Sequence, residues 1–401
     1  MSFKIIKLGE ACNLQNGFAF KSKFFTEDGL PILRISNIQN QIINIKKIVY
    51  FKLEKYKEKL DKYIVEHNDL LIAMSGATTG KIGFNNTDQR FYLNQRVGNL
   101  KPKEILDKKY LYYFLSTQIE KNLKISLGAA QPNLSTEQIL NILIPLPPLP
   151  IQQKIVKKLD TIFTELDKAT AAAAANVKNA EALFQSYLIQ VFERGGEGWV
   201  EIFTGDVCSS VTDGKHGDCV NQENSGYYFL SAKDVKNGAL NYLGAREITK
   251  EDFEETHRRT NLESGDVLVT NSGTIGRMAI ADDDDRTRKT TFQKSVAILK
   301  PKPNMIDSKF LFHLLTSKLI HFNNISAGTA QKNLLLRDIR SLKIKMPKEL
   351  SKQKIISNQF DLIRQNINKL ENIYKIKINE IIQLKQSILQ QAFNGELVKA
   401  A

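Results

Sequence analysis

The chain has 401 residues, enough for two or three domains with cores of ordinary size. Lysine and arginine number 57 against 43 aspartates and glutamates, a net charge of +14 that favours a polyanionic partner, nucleic acid above all. MSFKIIKLGEACNLQ is charged and polar from Lys4 onward, unlike a secretory signal, and no apolar run approaches the roughly 20 residues of a membrane helix. Three cysteines without CxxC spacing (Cys12, Cys208, Cys219) point to a reduced, cytoplasmic chain, with Cys12 and Cys208 apolar and buried at equivalent places.

In chain order, short strand-like runs come first, Ile32–Ile35, Asp69–Met74 and Val97–Leu100, separated by Gly, Asn and Asp turns. An amphipathic helix is expected over Tyr110–Leu123, then the turn GAAQPNL (Gly128–Leu134). Ser135 and Gln138 have capping-box spacing. After IPLPPLP (Ile144–Pro150), apolar residues recur at 151, 155, 159, 162, 166, 169, 173, 177, 180 and 184, a coiled-coil seam on a helix of about 40 residues. The alanines at 169 and 171–175 suit either a plain high-propensity helix or a close approach.

The chain is then written again. GTAQKNL (Gly328–Leu334) repeats GAAQPNL at an offset of 200 residues, LKPK at 299–302 repeats LKPK at 100–103, and KQKI at 352–355 answers QQKI at 152–155. Strands are expected at Tyr228–Ser231, Asp266–Thr270 and Val296–Leu299, a helix at Phe310–Asn323, and a second seam at 360, 363, 367, 370, 374, 378, 381, 384 and 388. The second proline segment, KIKMPKEL, is poorer than the first. The period is far too long for a solenoid unit, so each copy is a domain. The fold expected is mixed α/β (α+β): globular domains at 1–148 and 196–347, and helices within 149–195 and 348–401. Neither helix is stable alone with its apolar stripe exposed, so each needs the other or a partner chain; the returning chain allows an antiparallel pairing of the two, with the domains at opposite ends of a rod.

Catalytic signatures are missing. The sequence holds no GxxxxGK[ST] loop, no HExxH, no GxSxG elbow, no Asn/Asp-Pro-Pro-aromatic methyltransferase motif and no Pro-Asp nuclease opening. The histidine pair His313/His321 reads as structural. What recurs instead is polar and basic loops in matching places. SGATTGK (Ser75, Thr78, Lys81) faces SGTIGR (Ser272, Thr274, Arg277); exposed backbone amides there would meet phosphates, or the loop is an ordinary strand connection. QRFYLNQR (Arg90, Asn94, Gln95, Arg96) faces RTRKTTFQK (Arg288, Lys289, Gln293, Lys294), both dense in side chains that pair with base edges. NGFAFKSKF (Lys21, Lys23) faces TDGKHGD (Lys215, His216). These loops differ between the copies within a common frame, as two readers of different sequences should. Gln131, Asn133, Gln331 and Asn333 are identical in both and suggest a shared structural duty such as leading into a helix.

GAAQPNLSTEQILNILIPLPPLPIQQKIV (128–156), its echo at 328–356, the ending LKQSILQQAFNGEL (384–397) and its echo LFQSYLIQVFERG (183–195) resemble the specificity subunit of type I restriction–modification systems over essentially the whole chain. That resemblance implies a non-catalytic subunit with two target-recognition domains reading a bipartite double-stranded DNA target, the helices setting the spacer. It also implies docking of two adenine methyltransferase subunits carrying S-adenosylmethionine, and of ATP-dependent restriction and translocation subunits, with ATP and Mg there and no cofactor in this chain. Two other readings stay open: the recognition part of a fused restriction–methylation enzyme, and a coiled-coil scaffold with no DNA role.

Overall fold

The computed structural model describes residues 3–39, 42–126, 133–326 and 333–397. The chain divides into two compact units, Met1–Ala173 with Ile376–Ala401, and Ala174–Lys375, so each unit takes part of both long helices.

In the first unit the strand order of the larger sheet is Cys12–Asn16, Val97–Pro102, Leu70–Ala73, Ile82–Phe84, Ile42–Ile43, Ile38–Gln39. Its central run, LLIA, is fully buried because both faces are covered, so it reads as continuously apolar instead of alternating. A second sheet orders Phe25–Thr26, Val49–Phe51, Leu30–Leu33, Phe91–Leu93 and Ile64–Val65, with Leu30–Leu33 parallel to Phe91–Leu93. The second unit repeats the plan with less. Cys208–Asp213, Val296–Pro301, Val267–Thr270 and Met278–Ile280 form one sheet; Arg246–Glu247, Tyr228–Leu230 and Thr290–Phe292 form the other, again with one parallel pair.

The recurring Asp and Lys of the two copies meet across the larger sheet. Asp69 sits 2.6 Å from Lys101 and accepts a 2.7 Å bond from Asn99; Asp266 sits 2.7 Å from Lys300. A carboxylate at the start of a buried strand is tolerable only with such a partner. The repeated glutamine has a similar office. Gln152 accepts from the amide of Asp107 (2.8 Å) and donates to the carbonyls of Ile105 (2.9 Å) and Pro147 (2.8 Å). Gln353 does the same with Asp307 (2.8 Å), Met305 (3.0 Å) and Pro347 (2.9 Å). One fully buried amide thus ties a sheet–helix loop, the proline segment and the start of a long helix together.

The helix expected at Tyr110–Leu123 spans Lys108–Ser126. Its counterpart is broken into Ser308–Ser317 and Leu319–Ser326, because Lys318 turns tightly onto Leu315 while the Ser317 hydroxyl bonds back to Leu314. His313 and His321 fall on different pieces, one buried and one exposed. Ser135 and Gln138 form the expected reciprocal cap. The cysteines are buried, and burial pushes the Cys12 and Cys208 thiols up to about 12. Among the described residues no helix is long and apolar enough to cross a membrane.

The long helices run Leu149–Arg194 and Leu350–Phe393, 46 and 44 residues or about 69 and 66 Å. Within each unit their segments are antiparallel. Lys158 reaches the Leu397 carbonyl (3.0 Å) and Asp167 pairs with Lys385; Asn176 bonds Tyr374 (3.0 Å) and Glu181 pairs with Arg364. The seam is largely as spaced, with two corrections. Ala169 is exposed, and so is Leu384 at 47%. Lys385 takes the inward place of Leu384, its ammonium over the Phe163 ring (5.3 Å) and paired with Asp167. Toward the outer ends the stripe is absorbed by the globular cores: Ile155 and Leu159 pack with Leu111 and Phe114, and Phe184, Leu188 and Phe192 with Phe310 and Leu314.

Candidate nucleic-acid interface

Each unit gathers four polar segments at one edge of its sheets by the same backbone ladder. In the first, Phe18 N–H donates to Leu93 (2.7 Å), Gln95 to Phe18 (2.8 Å), Met74 to Arg96 (2.9 Å) and Leu134 to Met74 (2.7 Å). In the second, Lys215 donates to Phe292 (2.7 Å), Lys294 to Lys215 (3.0 Å), Asn271 to Ser295 (3.0 Å) and Leu334 to Asn271 (2.7 Å). Ser75 is bridged to Asn133 and Ser272 to Asn333, so each of these repeated asparagines closes against the glycine loop just ahead of a helix. Gln131 and Gln331 lie outside the described residues. The close approach explains two glycines. A Cβ on Gly17 would stand 2.2 Å from the Asn94 carbonyl oxygen, and one on Gly214 1.9 Å from that of Phe292.

The ladder brings together Asn94, Gln95, Arg96, Ser75 and Thr78 in one unit, and Lys215, Gln293, Lys294, Ser272 and Thr274 in the other. Gln95, Arg96, Gln293 and Lys294 are exposed and carry donor–acceptor groups suited to base edges or phosphates. Ser75 Oγ and Thr78 Oγ1 are buried without a partner among the described residues. The glycine loops are tighter than a phosphate cradle. The amides of Thr79, Gly80 and Lys81 bond to Gly76 (3.1 Å), Ala73 (2.8 Å) and Thr78 (3.0 Å), and Gly276 to Thr270 (2.9 Å), so the turns themselves use these donors. Lys81 is half-buried; Arg277 is exposed and reaches the Ala232 carbonyl (3.3 Å).

The segments QRFYLNQR and RTRKTTFQK are not continuous loops. The strands Phe91–Leu93 and Thr290–Phe292 run through them with buried side chains, since alternation there was hidden by the polar flanks. Arg90 and Lys289 therefore stand at the far strand end, roughly 13 Å of extended chain from Asn94 and Gln293, with Arg288 one residue further along. Arg90 pairs with Glu66 (2.8 Å), and Arg288 with Asp283 (2.6 Å) and Asp285 (3.5 Å).

Lys215 is held by Glu255 (2.9 Å) and by Asp252, with only 18% of its side chain exposed. The hydrogen bonds that the ammonium donates to Asp252 and Glu255 raise its pKa, and Lys215 in turn holds the Asp252 carboxyl below its usual range. Its charge is thus matched within the fold. His216 is exposed, 3.1 Å from Asp213. Lys21 and Lys23 are exposed; the Lys21 amide donates to the Tyr56 hydroxyl (3.0 Å) and the Lys23 ammonium lies over Phe24 (5.2 Å). Tyr56, Asp252 and Glu255 are the positioning residues that sequence reasoning missed, because they sit 35 to 40 residues from what they hold.

A duplicated α/β domain with a polar edge in each copy and paired helices is a tandem recognition architecture, and comparison with known proteins agrees. The family described as the type I restriction modification DNA specificity domain matches residues 2–175 and 196–380. The chain belongs to this family, the specificity subunits of type I restriction–modification systems. It is 25% identical over 426 residues to the EcoBI specificity subunit of Escherichia coli, covering 98% of this chain and 85% of that one. It is 34% identical over 167 residues to the MjaVIII specificity subunit of Methanocaldococcus jannaschii, 40% of this chain and 39% of that protein. Two solved structures share the fold at 20% identity. One is the HsdS subunit from Thermoanaerobacter tengcongensis (TM-score 0.56, 98% and 97% covered). The other is a chain from a study of assembly and conformational transition of the type I R-M system (TM-score 0.74, 98% of each chain). Specificity subunits recognise the DNA target and are not catalysts; they assemble with methyltransferase and restriction subunits, where the catalytic activities lie.

Proposed function

We propose that the chain reads a bipartite double-stranded DNA target, with residues 1–148 reading one half and 196–347 the other. The helices within 149–195 and 348–401 set the unread spacer as an antiparallel rod. A dimeric reader separates half-sites by a fixed distance along the duplex, and the two copies would do so within one chain. The observation that carries this is the identical backbone ladder presenting different side chains: Phe18, Asn94, Gln95 and Arg96 in one copy, and Lys215, Gln293, Lys294 and Ser295 in the other. A constant frame with variable tips is what two independent sequence readers need.

On this reading the chain docks two adenine methyltransferase subunits, which bring S-adenosylmethionine, and the ATP- and Mg-dependent restriction and translocation subunits. The target adenine is flipped into the methyltransferase's pocket and not into this chain. The chain carries no cofactor of its own and works in the cytoplasm, where the DNA is.

Co-expression with the methyltransferase, followed by genome-wide mapping of N6-methyladenine, tests this. One motif with a fixed gap is expected, and exchanging residues 1–148 should change one half only. Methylation at an uninterrupted motif, or a change in both halves, would overturn it. Arg96→Ala and Lys294→Ala are each expected to weaken binding by about 1–3 kcal/mol if the contact is to a base, relaxing preference in their own half-site.

A further inference from the structure

Beyond the loop edge, the two units treat their basic side chains differently. In the second unit four cations around the smaller sheet are matched by carboxylates, Lys215 by Asp252 and Glu255, Arg246 by Asp218, Lys250 by Glu254, and Arg288 by Asp283, while Arg258, Lys289 and Lys294 have no ion pair among the described residues. The corresponding stretch of the first unit is 52–63. It follows strand Val49–Phe51, which pairs antiparallel with Leu30–Leu33, as Arg246–Glu247 pairs with Tyr228–Leu230. This stretch carries Lys52, Lys55, Lys57, Lys59 and Lys62, and only Lys52 has an ion-pair partner among the described residues, Asp28 at 2.7 Å. Glu54, Glu58 and Asp61 alternate with these lysines, yet among the described residues no ion pair joins them.

An aromatic cluster fixes where the lysines stand. Tyr56 packs edge-on against Phe18 (5.5 Å), Phe20 (5.5 Å) and Phe24 (5.7 Å), and its hydroxyl takes the Lys21 amide. Tyr63 packs on Phe18 (5.4 Å), with the Lys62 ammonium over its ring (5.0 Å). Phe18 is itself bridged to Asn94 on the loop edge. Lys55 and Lys57, flanking Tyr56, and Lys62, beside Tyr63, therefore collect with Lys21 and Lys23 around the Phe18 end of that edge. All five are exposed.

We infer that Lys21, Lys23, Lys55, Lys57 and Lys62 form a phosphate-binding surface for the backbone of double-stranded DNA, built into the first unit and not the second. The inference rests on the DNA-reading role proposed above and adds a division of labour: the first unit supplies the larger share of sequence-independent affinity. An ammonium is a point charge without the fork that reads a base edge, so it suits the backbone. Each uncompensated lysine that meets a phosphate releases condensed counterions, whereas a lysine already matched by a carboxylate releases few.

The test is equilibrium binding of the full chain to a random-sequence duplex, and to one carrying the methylated motif, across a series of KCl concentrations. The triple variant Lys55→Gln, Lys57→Gln, Lys62→Gln is expected to lower the slope of log affinity against log salt by about 2 to 3. Its ratio of target to random binding should not change. The paired variant Arg246→Gln, Lys250→Gln in the second unit, where both cations are matched by carboxylates, should leave the slope where it was. Intact wild-type binding with an unchanged slope in the triple variant would overturn the phosphate surface, and equal losses from both variants would overturn the asymmetry. Loss of target preference in the triple variant would assign the lysines to base reading and likewise overturn it. A wild-type chain with no affinity for either duplex would overturn the DNA-reading role itself.

Discussion

Phe18 and Lys215 occupy the same place in the two units, bonded through the same backbone partners, yet one sits among aromatic rings and the other between two carboxylates. The aromatic solution excludes water and leaves nearby lysines uncompensated. The carboxylate solution neutralises its own lysine, and Arg246 and Lys250 nearby are matched in the same manner. The lesson is that the frame tolerates either chemistry at a position it fixes geometrically. Similar domains can thus differ in what they offer a polyanion while sharing every strand that matters.

The sharpest way to break the comparison is to attack the shared frame. Gln152→Leu leaves the Asp107 amide and two carbonyls without partners, and Gln353→Leu does the same to the Asp307 set. Each should cost about 3 kcal/mol or more, read as a lowered urea midpoint. A large effect at one site and none at the other would mean that the two copies are not held alike.

Exchanging the chemistries at the common position tests the difference instead. Phe18→Lys places an ammonium among rings without a carboxylate, and Lys215→Phe strands Asp252. Each should cost roughly 2 kcal/mol, because neither site is fully dry. The Lys215 effect carries a pH signature. Asp252 is held below its usual range chiefly by the hydrogen bond from Lys215. Its stabilisation is present above about pH 4 and lost as pH falls through the folded value. The stability gap between wild type and Lys215→Met should therefore close in acid; a gap that stays constant would exclude this linkage.

The smallest effect expected concerns a third paired position. Tyr113 donates to Asp160 (2.6 Å) in the first unit, while His313 meets Asp361 (2.8 Å) in the second. Burial pushes His313 below the ordinary imidazole range although Asp361 pulls the other way. A histidine kept neutral by the fold contributes stability that is present above about pH 6.5 and lost as pH falls below it. His313→Tyr should flatten that dependence in unfolding curves between neutral and mildly acidic pH, making the second unit behave like the first.

Much of this was legible in the chain. Strands such as Leu70–Ala73 and Val267–Thr270 are short apolar runs between turn residues, and the long helices follow from apolar steps of three and four. The Ser135–Gln138 cap and the buried Cys12 and Cys208 were read correctly from local pattern. The candidate edge was less legible. The short strands inside QRFYLNQR and RTRKTTFQK separated Arg90 from Arg96 and Lys289 from Lys294, and three-residue strands, one of them mostly threonine, are too short to show a period against such polar flanks.

The duplication, the α/β frame, the paired helices and the family can all be read from the chain, because they depend on periodicity and repetition within short windows of it. Which cations are available to a partner is set by folding. Lys215 and Lys55 look equivalent in a sequence. One is matched by Asp252 and Glu255, 37 and 40 residues away, while the other stands exposed beside Tyr56. Charge compensation acts over a few ångströms between side chains that the fold alone brings together, so it leaves no trace in local sequence.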